Sequence, residues 1–376
     1  MVDQEKEIRD KLIQLIRYSL HGKTVDPAFL SEEESEQILK ISRYHKISAL
    51  VSLAMKDPDE TWMNERMNAI RRTILFDHER EEILKDLEKN QIWYCPLKGI
   101  ILKDDYPEYG VREMSDNDIL VDPDRMKDVR KIMKDHGYEC ILFGRWNHDT
   151  YHKEPIYNFE MHRDVFYRST LNHFYDYYQN VKDRLLKDND NQYGYHFSDE
   201  DFYIHCIAHN CKHMESGGAG LRILVDIYLY LKHHDLDWNY LEEELTKLGI
   251  SEEESLYRDL VQKLFSDEEQ EELNEKEKIL IDYMFSSGAH GNIRNHTINA
   301  LNRVKEEEGS SYKLKYVYRR IVLPESSLKM YHPFFYKHVW ARPFLTLFRI
   351  GRGLIKGRKN LKTEIKTLIE EGKEDA

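Results

Sequence analysis

Apolar residues recur every three or four positions through most of the first ninety residues. LIQLIRYSL, ESEQILKISRYHKISALVSLAM and NAIRRTILFDHEREEILKDLEKN all carry this spacing, which predicts helices with short breaks. IWYCPLKG changes character: it is short, apolar and aromatic, and it ends at a glycine, as a buried strand does. IILKDDYPEYG reads as a short helix closed by a proline-containing loop, and MSDNDILV as a second strand. DPDRMKDVRKIMKDHGY is a marked helix. Asp122 can cap it, Pro123 suits its first turn, and Gly137 sits where a left-handed C-terminal residue belongs. YECILFG and IYNFEMHRDV are two more predicted strands. From about residue 171 the spacing is helical again, clearest in FSDEDFYIHCIAHNCKHM, LRILVDIYLYLKHH and DWNYLEEELTKLG. Ser198 with Asp201 resembles a capping box, and Asp237 can cap the helix after it. The tyrosine-rich NHFYDYYQN is read as a packed helix rather than a base-stacking platform. The pattern predicts a mostly helical protein around a small sheet.

Composition narrows the class. With 376 residues the chain can bury a sizeable core and hold two or three domains, and only 17 Gly and 9 Pro interrupt it. Charged residues make up 33%, and no apolar run reaches bilayer length. The start, MVDQEKEIRDKLIQLIRYSL, lacks the features of a signal peptide. None of the four cysteines, Cys95, Cys140, Cys206 and Cys211, are spaced as CxxC, so a reduced, cytoplasmic protein is expected. The net charge of -13 disfavours a nonspecific grip on nucleic acid. One segment departs from it. Between Ser326 and Thr363 no Asp or Glu occurs, while Lys329, Lys337, Arg342, Arg349, Arg352, Lys356, Arg358, Lys359 and Lys362 do. Its stretch WARPFLTLFRIGRGLIKGRKN suits an interfacial helix, an RNA contact or a helix folded onto the acidic body of the chain. The last is favoured because the remainder is strongly negative.

The candidate chemistry centres on SDNDILV. Side chains two apart on a strand point the same way, so Asp116 and Asp118 would lie about 6.5–7 Å apart along the chain. Two carboxylates on one face are costly without a positive group between them, and a hard divalent cation is the natural solution. Alone, the pair also reads as a surface strand end. Its context adds more. Leu97-Lys98-Gly99 ends an apolar strand before a short helix; a glycine there admits phosphates to backbone N–H groups, and Lys98 adds a point charge. Glu160, between Phe159 and Met161, offers a third carboxylate on another strand. Three acidic groups beside a phosphate loop are the equipment of two-metal phosphoryl chemistry.

The block LKGIILKDDYPEYGVREMSDNDILVDPDRMKDVRKIMKDHGYE resembles the uncharacterised nucleotidyltransferase family of the DNA polymerase β superfamily. The resemblance rests on Leu97-Lys98-Gly99, Tyr106-Pro107, Arg112, Asp116-x-Asp118, Gly137-Tyr138 and Glu160-Met161-His162. It extends more loosely to His209, His213, LRILVDI with Asp226, and Trp238. It implies an α+β fold, a small mixed β-sheet core flanked by N-terminal and C-terminal helical regions. The expected organisation is a helical region over 1–90, the nucleotidyltransferase core over 91–170, a helical domain over 171–325 and a basic amphipathic tail over 326–376. The implied reaction moves a nucleoside monophosphate from a nucleoside triphosphate to a hydroxyl-bearing acceptor, releasing pyrophosphate. Asp116, Asp118 and Glu160 would hold Mg2+ or Mn2+, and Lys98, Gly99 and Arg112 would serve the nucleotide. Arg112 either reaches the triphosphate or balances the nearby aspartates. His162, His209 and His213 are candidate substrate contacts. The acceptor is left open among a small molecule, a protein side chain and an RNA end. Two departures stand out: Lys-Gly replaces the superfamily's commonest Gly-Ser loop, and Asn117 replaces an apolar residue between the aspartates. They keep one alternative in play, an inactive nucleotide-binding regulatory module; the basic tail supplies another, a membrane-surface or scaffold protein acting through that tail.

Two patterns invite other readings. His205, His209 and His213 share a helix face, for packing, phosphate contact or zinc. His162-Arg163-Asp164 imitates the kinase catalytic loop, but the other kinase motifs are absent.

Overall fold

Alternation along five short strands sets the architecture. In the computed structural model these are β1 (Tyr94–Pro96), β2 (Asn117–Val121), β3 (Glu139–Leu142), β4 (His148–Lys153) and β5 (Tyr157–His162). They form one sheet in the order β1-β2-β5-β4-β3. Only β2 and β5 run parallel, so the sheet is mixed. Ile119, Val121, Phe159 and Met161 point to one face and are buried there. The helix Glu60–Lys89 covers that face with Phe76, Ile83 and Leu87, and the helix Met126–Asp135 with Val129, Ile132 and Met133. Period-two geometry then sends Asp118, Glu160 and His162 to the opposite face. The fold is α+β, with a small mixed sheet flanked by helices.

The structure describes residues 2–168, 172–268, 271–308, 311–355 and 357–374. Lys356 of the tail, the boundary drawn at 170–171 and the last two residues lie outside them. The chain divides into two compact units, residues 1–211 with 220–285, and residues 212–219 with 286–376. In the second, Leu301, Val304, Tyr312 and Tyr316 form a small core, and buried Glu364 accepts from Tyr316 Oη (2.7 Å) and Arg320 Nε (2.8 Å). Among the described residues no helix is long and apolar enough to cross a membrane.

The expected end signals are used. Asp122 accepts from Asp124 N–H (3.0 Å), starting a turn that runs into Met126–Asp135, and Gly137 beyond it has φ +81°. Ser198 Oγ accepts from Asp201 N–H (3.1 Å), and Asp237 caps Trp238–Leu248. Three expectations need correction. MSDNDILV becomes a strand only from Asn117, so Asp116 stands just ahead of β2. β4 was not predicted, because HDTYHK has no apolar alternation. Hydrogen bonding to both β3 and β5 makes it a strand, and its inward Asp149 is held by Gly144 N–H (2.7 Å) and Arg163. Within the region expected to be helical, β6 (Leu185–Lys187) and β7 (Tyr195–Phe197) form a hairpin. Gly194 bridges to Tyr94 of β1. Strands of three residues are too short to show a period.

Candidate active site

The register of β2 against β5 decides what the carboxylates can do. Asp118 lies opposite Glu160, and Leu120 opposite His162. On the other side of β5, His148 of β4 lies opposite His162. Asp118 is buried, and its Oδ1 accepts from Lys98 Nζ (2.7 Å) and His162 Nε2 (2.8 Å). Glu160 Oε2 lies 3.5 Å from His148 Nε2 and 3.6 Å from His162 Nε2.

Asn147 packs beside His162, and Asp118 settles the proton on that ring. Asn147 Nδ2 donates to the carbonyls of Asp164 (3.1 Å) and Val165 (3.2 Å), which fixes the amide's orientation. The same nitrogen stands 3.3 Å from His162 Nδ1. The proton is placed by Asp118, whose ionised carboxylate can only accept, so His162 Nε2 donates to it. Asp118 is therefore oriented by two donors at Oδ1.

Charge is in excess here. Burial and the Asp118 charge push Glu160 up to about 8, and the same causes push Asp116 up to about 6. Burial opposes ionisation of Asp118 too, but Lys98 and His162 hold it well below the usual carboxylate range. Three carboxylates against one ammonium fit a divalent cation. One nitrogen each of His148 and His162 and an oxygen of Glu160 also lie within 4.8 Å of one another, a set that could hold a metal ion only if His162 gave up the proton it donates to Asp118.

The Lys98-Gly99 turn is built differently from the expected phosphate loop. Lys98 has φ +50°, a conformation that costs a non-glycine residue on the order of 1–3 kcal/mol and marks a position the surroundings impose. The helix after it, Gly99–Leu102, has only four residues, and the Ile100, Ile101 and Leu102 N–H groups donate to the Leu97 and Lys98 carbonyls. Gly99 has its own reason. A Cβ there would lie 2.5 Å from Arg112 Nη1 and 3.3 Å from Met114 Cε. Arg112 cannot yield easily, because its Nε and Nη2 form a two-pronged ion pair with Asp226 (2.8 Å each) while Tyr106 Oη donates to the same carboxylate (2.7 Å). Gly99→Val is thus expected to lower stability by roughly 1–3 kcal/mol, as overpacking of a filled interior does. Urea unfolding measures this. Unchanged stability with weakened triphosphate binding would return Gly99 to the phosphate site.

The remaining candidates fall as follows. Arg112 is buried against Asp226, and its charge also reaches Asp116. Asn117 points into the core, where its Oδ1 accepts from Arg80 Nη1 (3.0 Å), so the departure from an apolar residue is matched by a buried arginine. His205 is fully buried among the rings of Phe166, Tyr178 and Phe197, and His209 and His213 follow on the same helix, half-buried. Sequence reasoning missed His148, Asn147 and Arg222. Arg222 donates to the Glu113 carbonyl (2.6 Å) and its charge acts on Asp116. Its one available signal was a place four residues before Asp226. His148 and Asn147 had none, since the strand they introduce was not legible.

A pair of in-register carboxylates, a third beside them and a lysine among them point to a transferase acting on nucleotides. Residues 31–266 match the model of a family described as uncharacterised nucleotidyltransferase, and the chain belongs to that family. Nucleotidyl transfer from a nucleoside triphosphate is the general activity this membership carries. No curated protein and no solved structure matches the chain.

Proposed function

We propose that the chain is an active, divalent-metal-dependent nucleotidyltransferase that moves a nucleoside monophosphate from a triphosphate to a hydroxyl-bearing acceptor. The observation that carries this is the register pairing of Asp118 with Glu160, with the Asp118 charge raising Asp116 and both aspartates raising Glu160. Asp116, Asp118 and Glu160 would hold Mg2+ or Mn2+, which when bound supplies positive charge for the triphosphate and a more acidic acceptor hydroxyl. Asp118 is kept ionised and aimed by Lys98 and His162. Glu160, the carboxylate with the greatest affinity for a proton, takes the proton of the acceptor hydroxyl. Lys98 offers positive charge toward the leaving pyrophosphate. The acceptor is a small molecule, a protein side chain or an RNA end, and His209 is the histidine proposed to meet it, His162 being buried and engaged with Asp118. A reduced, cytoplasmic setting suits its four cysteines, none of them spaced as CxxC.

One observation favours a second reading, a nucleotide-binding module without turnover: the Lys98 ammonium already bonds Asp118. Incubation with each labelled triphosphate and Mg2+ or Mn2+ over an acceptor library separates the two. Pyrophosphate release supports the enzyme, and binding without release supports the module.

The raised carboxyls also predict how pH and metal couple. A carboxyl whose pKa is higher folded than unfolded binds more protons in the native state, so its contribution to stability is present at low pH and is lost as pH rises through the folded value. For Glu160 the loss runs from about 4, the ordinary glutamate value, to about 8. In EDTA, the wild-type Tm is expected to fall more between pH 5.5 and 8.5 than that of Glu160→Gln, and Mn2+ is expected to close the gap at the higher pH. Parallel melting curves for the two proteins, or a gap that Mn2+ leaves open, would remove Glu160 from the metal site.

A further inference from the structure

Between Glu308 and Glu364 the chain holds thirteen Lys or Arg and one acidic residue, Glu325, so this segment is opposite in sign to the whole chain at -13. Its helix Arg342–Ile355 packs by one side only. Leu345 is buried, and the Arg349 guanidinium donates to the carbonyls of Ile321 (3.0 Å) and Arg320 (3.2 Å). The other side carries Phe344, Leu347, Phe348, Leu354 and Ile355, spaced to share one face. They are 65%, 67%, 66%, 57% and 81% exposed, and Trp340, just ahead of the helix, is 70% exposed. On the helix Tyr312–Ile321, Leu314 and Tyr318 are exposed while Tyr312 and Tyr316 face the core. The structure leaves this stripe open, because the side that packs is the one bearing Leu345 and Arg349.

A soluble surface seldom leaves so many large apolar side chains together. We propose that this face docks onto an anionic lipid bilayer. Three features select that occupant. Exposed Lys337, Arg352, Arg358, Lys359 and Lys362 accompany the stripe, and cations beside an apolar helix face suit an acidic membrane surface. Trp340 stands at the stripe's start, and tryptophan favours the headgroup level. The same charge works against a second copy of this chain, since two cationic faces repel. RNA fits less well, because Leu347, Leu354 and Ile355 give bases nothing to stack on. The helix lies along the surface: fourteen residues reach about 21 Å, short of the roughly 30 Å hydrocarbon core.

The test uses the full chain and does not depend on nucleotidyl transfer. Flotation with vesicles of phosphatidylcholine alone is compared with vesicles containing a third phosphatidylserine, at low and moderate salt. Expected are flotation with the acidic vesicles only, at least tenfold less in Phe344→Glu/Leu347→Glu/Phe348→Glu, and partial loss in Lys359→Glu/Lys362→Glu. Tryptophan emission should shift to the blue on adding acidic vesicles, and Trp340→Phe should remove that shift. This second readout decides the matter if the triple variant does not fold. No flotation, equal flotation on neutral vesicles, or an unchanged triple variant overturns the proposal. So does a dimer that the triple variant dissociates, or retention on single-stranded RNA in place of vesicles.

Discussion

Asp118→Asn is expected to lower nucleotidyl transfer by on the order of 10³-fold or more. The estimate follows from losing several kcal/mol of charge stabilisation in the transition state, at about 1.4 kcal/mol per factor of ten. Asparagine keeps the shape and an oxygen able to accept from Lys98 Nζ and His162 Nε2, so the two bonds that hold the side chain survive in weaker form. What disappears is the charge that all three carboxylates need in order to share a cation. The fold should persist, because the repulsion that pushes Asp116 and Glu160 up is relieved in the same step. Single-turnover pyrophosphate release, run beside circular dichroism and Mn2+ titration, reads all three effects. A folded variant retaining more than about a tenth of the rate would show that Asp118 does not hold the reacting centre.

Asp226→Ala is expected to be the most damaging single change to stability, at roughly 3–5 kcal/mol. The substitution leaves the buried Arg112 guanidinium without its two-pronged partner and strips Tyr106 Oη of its acceptor. An uncompensated buried charge is far costlier than an absent pair. Adding Arg112→Met to Asp226→Ala should therefore recover much of the loss, as urea unfolding would reveal. The same double variant tests the older role of Arg112. If the arginine served the triphosphate directly, the recovered protein would bind nucleotide far more weakly; if it is an anchor, affinity should change only a few-fold. A cost below about 1 kcal/mol for Asp226→Ala would mean that the pair does not anchor this region and that Arg112 is available to a ligand.

Much of this site was legible along the chain. Asp116, Asp118 and Glu160 were found because carboxylates next to apolar strand residues are conspicuous, and Lys98 because it ends a strand ahead of them. The flanking helices announced themselves through their caps, as at Asp122, Gly137, Ser198 and Asp237. Gly99 has a second reason to be glycine: a missing Cβ says that something comes close, not what. Here the neighbour is Arg112, thirteen residues on, held in place by a carboxylate 114 residues away.

The sequence by itself determined most of the helices and the strands β1, β2, β3 and β5, and which side chains leave β2 and β5 on the side away from the core. Both follow from local periodicity, since each residue's direction depends only on its neighbours. Tertiary structure alone decided that β5 joins β2 in parallel with Glu160 beside Asp118. It decided that an unpatterned β4 brings His148 alongside, and that His162 meets Asp118. It also decided that Arg112 is committed to Asp226. These are pairings between residues far apart in the chain, set by strand register and by which buried charges meet, and no local spacing encodes them.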